Sequence, residues 1–507
     1  MITFFGNKLF SRRGCLFFIG SYLLILFALR ITLFPGSSED DAEQLFFSQI
    51  LSWGYKVNQP PLYTWLVILA QKVFGVSAAS IAVIKFASLF AIYIFTYSTA
   101  TLIFRDDRFR ALAALSLFAI FYINWDAVVN YSHTVLMAAF LMATLYAFLK
   151  IDSNRSIGSY IILGALMGLG LLSKYNFALF LIPLLIAATL TPSFRTKITS
   201  AKFLISLLIA GAIIAPHIQW LLASPTSIST TPEYLDVASG AGSVVLRSGK
   251  GLLDAAAGAL LFLAPLWLFY LLFFWRSFKP ISASNMPEQD YRRFFEIYFA
   301  AFAIIVIGGI VAFTLSGIRN HWMMVLIPFP IYFLLRIQSI SPRTVVLERF
   351  AVFLASFAVI VAVALFSRAM TAPNYCKKCN FFFPYAELSK QIKSAGFKSG
   401  TLITYGIPNQ LGGNLRRYFP DTRIISNRYA YFVPPENNIT TKGQCLLVWN
   451  ESSWAHGSRA RIEKVAKDIL GIKIPKDIPA HTIMANPPRS KRNRPAKLGF
   501  LIIKSCG

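Results

Sequence analysis

The chain predicts an α-helical polytopic membrane protein with a soluble α/β domain at its C-terminal end, and three observations lead there. Of its 507 residues, 56% are hydrophobic and only 14% charged, with a mean hydropathy of +0.58; soluble domains carry about 25% charged residues. Apolar runs long enough to cross about 30 Å of hydrocarbon recur as far as residue 367. Beyond that point the character changes: residues 368–507 hold 23 Lys/Arg against 7 Asp/Glu, more Pro and Asn, and no spanning run.

The elements follow in order. Arg12 and Arg13 precede an apolar segment, Phe17 to Phe34, that mimics a signal peptide. It is long and has no small-residue cleavage site ahead of the acidic stretch, so it reads as a retained first helix that starts inside. Further spans are expected near 78–104, 110–125, 132–149, 157–173, 176–191, 203–222, 253–275, 294–315, 321–337 and 349–367, about 11 in all. Alternate loops carry the cations that the positive-inside rule requires: Arg105/Arg108/Arg110, Lys150/Arg155, Arg195/Lys197, Arg276/Lys279/Arg292/Arg293 and Arg336/Arg343/Arg349. This puts the N-terminus in the cytoplasm and the tail outside, in the periplasm of a Gram-negative cell.

The layout expected is therefore a transmembrane region over 1–367, with a first external loop at 35–77, and an exported α/β domain over 368–507. Gly400 to Tyr405, Cys445 to Trp449 and Leu498 to Ile503 read as short buried strands, and Arg459 to Leu470 as an amphipathic helix. Four cysteines (Cys376, Cys379, Cys445, Cys506) fall in this tail. An even number in an oxidising compartment favours disulfides. Cys376-Lys-Lys-Cys379 as half of a zinc site lacks a second pair or a nearby pair of histidines.

A formal charge of +27 raises nucleic acid as a partner. About half of the excess lies in the exported tail and much of the rest follows from orientation, which excludes that class. The cationic tail is either simply solvated at the membrane surface or faces anionic lipid head groups such as phosphorylated glycolipids.

The first external loop stands out. Glu39, Asp40, Asp41 and Glu43 lie within five positions in a chain with only 22 acidic residues. Leu45, Phe46, Ile50, Leu51 and Trp53 follow at helical spacing, which predicts an amphipathic helix along the outer membrane surface, capped by Ser37 or Ser38. Helix-dipole stabilisation accounts for one or two carboxylates in the first turn. Four is more than capping needs, since neighbouring like charges repel and raise one another's pKa. A carboxylate held there is suited to take a proton from a hydroxyl near neutral pH.

Asp40-Asp41-Ala-Glu-Gln-Leu, then Trp53-Gly-Tyr55, then Gln59-Pro-Pro-Leu-Tyr63-Thr-Trp65, resembles the first external loop of the glycosyltransferase family 39-like group of GT-C enzymes. That group includes the protein O-mannosyltransferases, the aminoarabinose transferases acting on lipid A and the galacturonic-acid transferases acting on lipopolysaccharide. The resemblance extends to His133-Thr134, Gly170-Leu-Leu-Ser-Lys174-Tyr175-Asn176, Arg319-Asn-His321-Trp and Gly412-Gly-Asn414-Leu-Arg416-Arg-Tyr-Phe-Pro420. It implies a GT-C fold, a polyprenyl-phosphate sugar donor, an envelope acceptor such as lipid A or lipopolysaccharide core, and Asp40 as the base that activates the acceptor hydroxyl. Asp41 stands where relatives carry Glu, and Gln59 where many carry a phosphate-facing Lys, so another cation must serve the phosphate.

Lys174, Arg319, His321, Arg247 and Lys250 fall on the outer face and are the candidates, although interface cations also snorkel to head groups for purely structural reasons. Lys174 and Arg319 lead, because neighbouring donors suit a phosphate. Tyr55, Tyr63 and Tyr175 could face donor or acceptor, with an aromatic belt as the plain alternative; Glu43, Gln59 and His133 complete the binding set. Asp40 and Asp41 together could hold a divalent cation, and no other cofactor is expected. Neither a Walker-type loop nor GxGxxG after a strand occurs, which suits a lipid-linked donor. The rival class is a transporter or flippase for a lipid-linked sugar, which calls for charges deep in several spans and an internal repeat.

Overall fold

The computed structural model describes residues 8–152, 155–224, 244–275, 286–318, 320–339, 342–376, 380–406, 410–435, 443–451, 457–491 and 495–504. The protein is a multi-pass membrane protein. Among these residues, six helices are each long and apolar enough to cross a membrane: Arg12–Leu33, Ala78–Ile103, His133–Lys150, Phe203–Ala223, Glu288–Phe313 and Thr344–Asn374. Two bent pairs, Tyr175–Leu190 with Pro192–Ile198 and Asn320–Leu326 with Phe329–Gln338, bring the number to eight if each is one span. Leu62–Phe74 and Ile157–Ser173 are shorter apolar helices.

Two expected spans are broken. The 110–125 segment folds as the helix Asp107–Leu115, a 3-10 turn at Ser116–Ala119 and a π-helical turn at Tyr122–Asp126. The segment expected at 253–275 divides into Val244–Phe262 and Leu266–Phe274 around Pro265, whose ring cannot donate to an i−4 carbonyl. Helix Ile157–Ser173 packs on Phe203–Ala223 through Gly164, where an added Cβ would lie 2.6 Å from the Ser206 carbonyl oxygen. Small residues let membrane helices approach this closely.

The tail is built on one five-stranded mixed sheet: β1 (Gly400–Tyr405), β2 (Arg423–Ser426), β3 (Gln444–Asn450), β4 (His481–Ala485) and β5 (Ala496–Ile503), in spatial order β2-β1-β3-β5-β4. β1 runs parallel to β2 and β3, and β5 antiparallel to β3 and β4. The strands and the Arg459–Leu470 helix fall where the sequence predicts them. Ile462 and Ala466 of that helix pack on Ile403, Leu447 and Leu501 on one face of the sheet. The other face meets Phe46, Phe47 and Tyr55 of the loop after the first helix, so that loop and the tail share a core.

Cys376 and Cys445 are each disulfide-bonded, in agreement with disulfides in this tail. Cys379 and Cys506 lie outside the described residues.

Candidate functional site

The acidic stretch forms a helix, Glu39–Phe47, capped by Ser38, whose hydroxyl accepts from the Asp41 amide at 3.4 Å. It presents no open apolar face. Residues 41 to 47 are all buried, because the helix is sandwiched between membrane helices on one side and the tail on the other. It ends at Phe47, so Leu51 and Trp53 stand beyond it and are exposed, 74% and 56%. Hydropathy spacing read one covered face; a second neighbour, contributed by a distant part of the chain, covers the rest.

The four carboxylates have four different fates. Asp41 is 2% exposed and held by two cations: Lys85 Nζ at 2.9 Å and Arg30 Nη2 at 3.3 Å. Both cations belong to apolar helices and are themselves buried. A charge within a span marks function by default; the sequence puts Lys85 inside the span expected at 78–104, from which a long side chain is expected to reach the outer surface, whereas it is buried against Asp41. Arg30 carried the same signal and is an addition from the structure. Glu43 accepts from Lys56 Nζ at 3.2 Å and from the Tyr429 hydroxyl of the tail. Glu39 pairs at 3.1 Å with Arg428 in an exposed bridge.

Asp40 differs from all three. It is half-buried and makes no hydrogen bond or ion pair among the described residues. Burial raises its pKa to about 6; the Glu43 charge adds to the rise, Lys174 opposes it, and Asp41 and Lys85 act more weakly in opposite senses. A carboxylate unpaired and poised near neutrality is suited to general-base work.

Around it, the other expected residues sort into near, structural and undescribed. Lys174 follows directly on Ile157–Ser173, donates to Thr134 Oγ1 at 2.6 Å and acts on Asp40 electrostatically. Gln44 links His133 Nε2, at 3.0 Å, to the Thr64 hydroxyl, at 2.6 Å. Because Nε2 accepts there, Nδ1 carries the proton, which it gives to the Ser173 carbonyl at 3.2 Å. His133 is thus fixed at the mouth of its helix, below the Tyr63 ring at 5.2 Å.

Tyr63 is fully buried and its hydroxyl has no partner among the described residues; its ring offers no open face to a sugar. Tyr55 is buried as well, its hydroxyl spanning Ile50 and Ser52 and its ring against Phe47 and Phe432. Neither forms an interfacial belt or a sugar platform, since the tail's core closes over one and the membrane helices over the other. Tyr175 donates to His217 Nε2 at 2.8 Å, and His217 in turn donates to the Trp53 carbonyl at 2.7 Å, a tie between two helices and the first loop. Gln59 sits half-buried in a turn closed by its backbone amide to the Lys56 carbonyl.

Arg247 and Lys250 stand on the helix Val244–Phe262, rather than in a loop, and Lys250 is exposed. His321 packs edge-on to Tyr131 at 6.1 Å, in the short segment before the His133 helix. Arg319 lies outside the described residues. With Asp40 ionised, three carboxylates (Asp40, Asp41, Glu43) face four cations (Arg30, Lys56, Lys85, Lys174), an excess of positive charge suited to an anion. Asp41 is held by Arg30 and Lys85, and no group of three or more metal-ligating side chains occurs among the described residues.

An apolar cavity of about 330 Å³ opens beside this cluster, lined by Leu66, Ile84, Ser88, Leu136, Phe140 and Leu166 among others. Ile84 adjoins Lys85, and Leu136 packs with Leu45 of the acidic helix.

A helical membrane body, a buried acidic helix and a neighbouring apolar cavity are thus brought together. The chain covers 98% of itself and 99% of ArnT from Cupriavidus metallidurans, solved bound to undecaprenyl phosphate, with a TM-score of 0.61 at 12% identity; the apo form of that protein gives 0.51. The family described as dolichyl-phosphate-mannose-protein mannosyltransferase matches residues 58–220. Two curated relatives from Rhizobium johnstonii are each 29% identical: the lipopolysaccharide core galacturonosyltransferases RgtB, over 85% of this chain and 86% of the relative, and RgtA, over 87% of each. The chain is a glycosyltransferase that shares the GT-C fold of ArnT and is similar over most of its length to the two galacturonosyltransferases.

Proposed function

We propose that this glycosyltransferase moves a sugar from a polyprenyl-phosphate donor to a hydroxyl of an envelope acceptor, lipid A or lipopolysaccharide core, on the outer face of a bacterial inner membrane. The relatives favour a hexuronic acid as the group transferred and lipopolysaccharide as the acceptor. The apolar cavity beside Lys85 suits the isoprenoid, and the cationic excess suits its phosphate.

The single observation that carries the mechanism is the contrast between Asp41, locked by two cations, and Asp40, unpaired with a pKa of about 6. Asp40 accepts the acceptor's hydroxyl proton as its oxygen bonds to the anomeric carbon. The carbon–oxygen bond to phosphate breaks on the opposite side, with inversion, and the polyprenyl phosphate departs carrying its electron pair. Lys174, with Thr134 orienting its ammonium group, and Lys56 are positioned to offset the growing phosphate charge. Arg319 and His321 are carried as further phosphate ligands, Arg247 and Lys250 as outer ones. A divalent cation would find Asp40 as its available carboxylate; transfer in excess chelator tests it.

Replacing Asp40 with Asn lowers kcat at least about 100-fold, the low end for loss of a general base, while the protein stays folded. Retained turnover refutes the assignment. Mass spectrometry of envelope lipids with and without the protein names the sugar. A transporter calls for charges within spans, but the two buried ones, Arg30 and Lys85, are both paired with Asp41 of the acidic helix, which favours the transferase.

A further inference from the structure

The tail's helix Gln410–Arg416 grips the acidic helix along its length. Gly413 rests on Ala42, so closely that an added Cβ would lie 1.9 Å from the Ala42 carbonyl oxygen. At the N-terminal end, the fully buried Asn414 accepts from the Ser37 amide at 2.8 Å and donates to the Ser37 carbonyl at 3.4 Å. At the C-terminal end, Arg416 donates to the Leu45 carbonyl, to Ser48 Oγ at 2.7 Å and to the Ser48 carbonyl at 3.0 Å. Leu45 and Ser48 bear carbonyls that a helix terminus leaves unsatisfied, and a cation there also opposes the helix dipole. Arg416 is 6% exposed, and burial pulls its pKa down to about 10, so it remains charged at neutral pH.

Burying a guanidinium costs free energy that attachment alone does not require; Phe46 and Phe47 already glue the tail to the loop. What Asn414 and Arg416 add is direction. They fix both ends of a nine-residue helix whose second residue is the unpaired Asp40. Asp41 is anchored from the opposite side by Arg30 and Lys85, so the helix can neither roll nor slide.

We infer that Asn414 and Arg416 are positioning residues for Asp40, making the exported domain a structural part of the transferase site rather than only an acceptor-binding annex. The inference rests on Asp40 being the base.

The test uses the full chain in lipid nanodiscs, with Asn414→Ala and Arg416→Lys. The latter keeps the charge and loses the two-pronged contact. Expected are a kcat lower by about 10- to 100-fold, the cost of misplacing a catalytic group by about 1 Å, a displaced acidic limb in the pH profile of kcat/KM, and a KM for the donor within about 2-fold of wild type. Arg459→Ala, which breaks bonds to Glu463 and the Ile478 carbonyl on the sheet's other side, leaves kcat and the limb unchanged. Folded Asn414 and Arg416 variants with wild-type kcat and pH profile overturn the inference. So does a loss of kcat that only tracks the folded fraction with the limb unmoved, or failure of both variants to accumulate, since each makes the contact merely structural. Asp40→Asn separates the two levels: activity in that variant sinks the base, whereas an inactive Asp40→Asn with active Asn414→Ala sinks only the positioning role.

Discussion

Changing Glu43 to Gln tests whether the carboxylate at 40 is tuned by its neighbours. Glu43 lies three residues on from Asp40 in the same helix, a spacing that puts side-chain origins about 5–6 Å apart. At about 6 Å, two unit charges interact by about 0.7 kcal/mol in water and about 2.8 kcal/mol at an effective dielectric of about 20, or about 0.5 to 2 pKa units. Asp40 titrates at about 6 with Glu43 ionised. Without that charge its pKa falls to between about 4 and 5.5, and the amide still accepts from Tyr429. The group must be ionised to act as a base, so activity rises with pH through this pKa and the acidic limb moves to lower pH. The assay is kcat/KM against pH for purified protein in nanodiscs, because that ratio reports the free enzyme. Lys174→Met removes an opposing cation and moves the limb upward, above 6. An unmoved limb in Glu43→Gln, or shifts of the same sign in both variants, refutes the electrostatic account.

The structure makes further predictions about stability. Asp40 has a folded-state pKa raised to about 6 from an ordinary 3.8, so its ionisation opposes folding: the penalty is absent below pH 3.8, grows up to pH 6 and persists above. Two units correspond to at most about 3 kcal/mol, and Asp40→Asn, though inactive, melts at a higher temperature than wild type at pH 7 to 8; an equal or lower melting temperature contradicts this. Lys85→Met leaves Asp41 with only the longer contact to Arg30 and costs about 3–5 kcal/mol, the range for a broken buried pair. Pairing it with Asp41→Asn restores part of the loss in the same melting assay.

Much of this was legible in the chain and some was not, for identifiable reasons. The cap at Ser38 and the acidic first turn were readable because capping is a relation between residues three apart. The burial of that helix was not, because its second cover comes from residues such as Arg416, which bonds Leu45 across 371 positions. Tyr55 and Tyr63 read as rings facing a sugar or forming an interfacial belt, yet both are interior. Lys85 announced itself as a charge in a span; Arg30, in the first, did so equally.

The linear sequence by itself determined that the chain crosses a membrane repeatedly, that an α/β unit follows, and that carboxylates gather just after the first apolar helix. Each of these is a property of a short window: hydropathy over some twenty residues, alternation over six, charge over five. Only the tertiary structure decided which of two adjacent aspartates is free. Both share one helix turn and one chemistry, and the difference arises from cations 11 and 44 residues away that reach Asp41 and leave Asp40 without a partner. Ion pairing depends on separation in space, and spacing along the chain does not encode it.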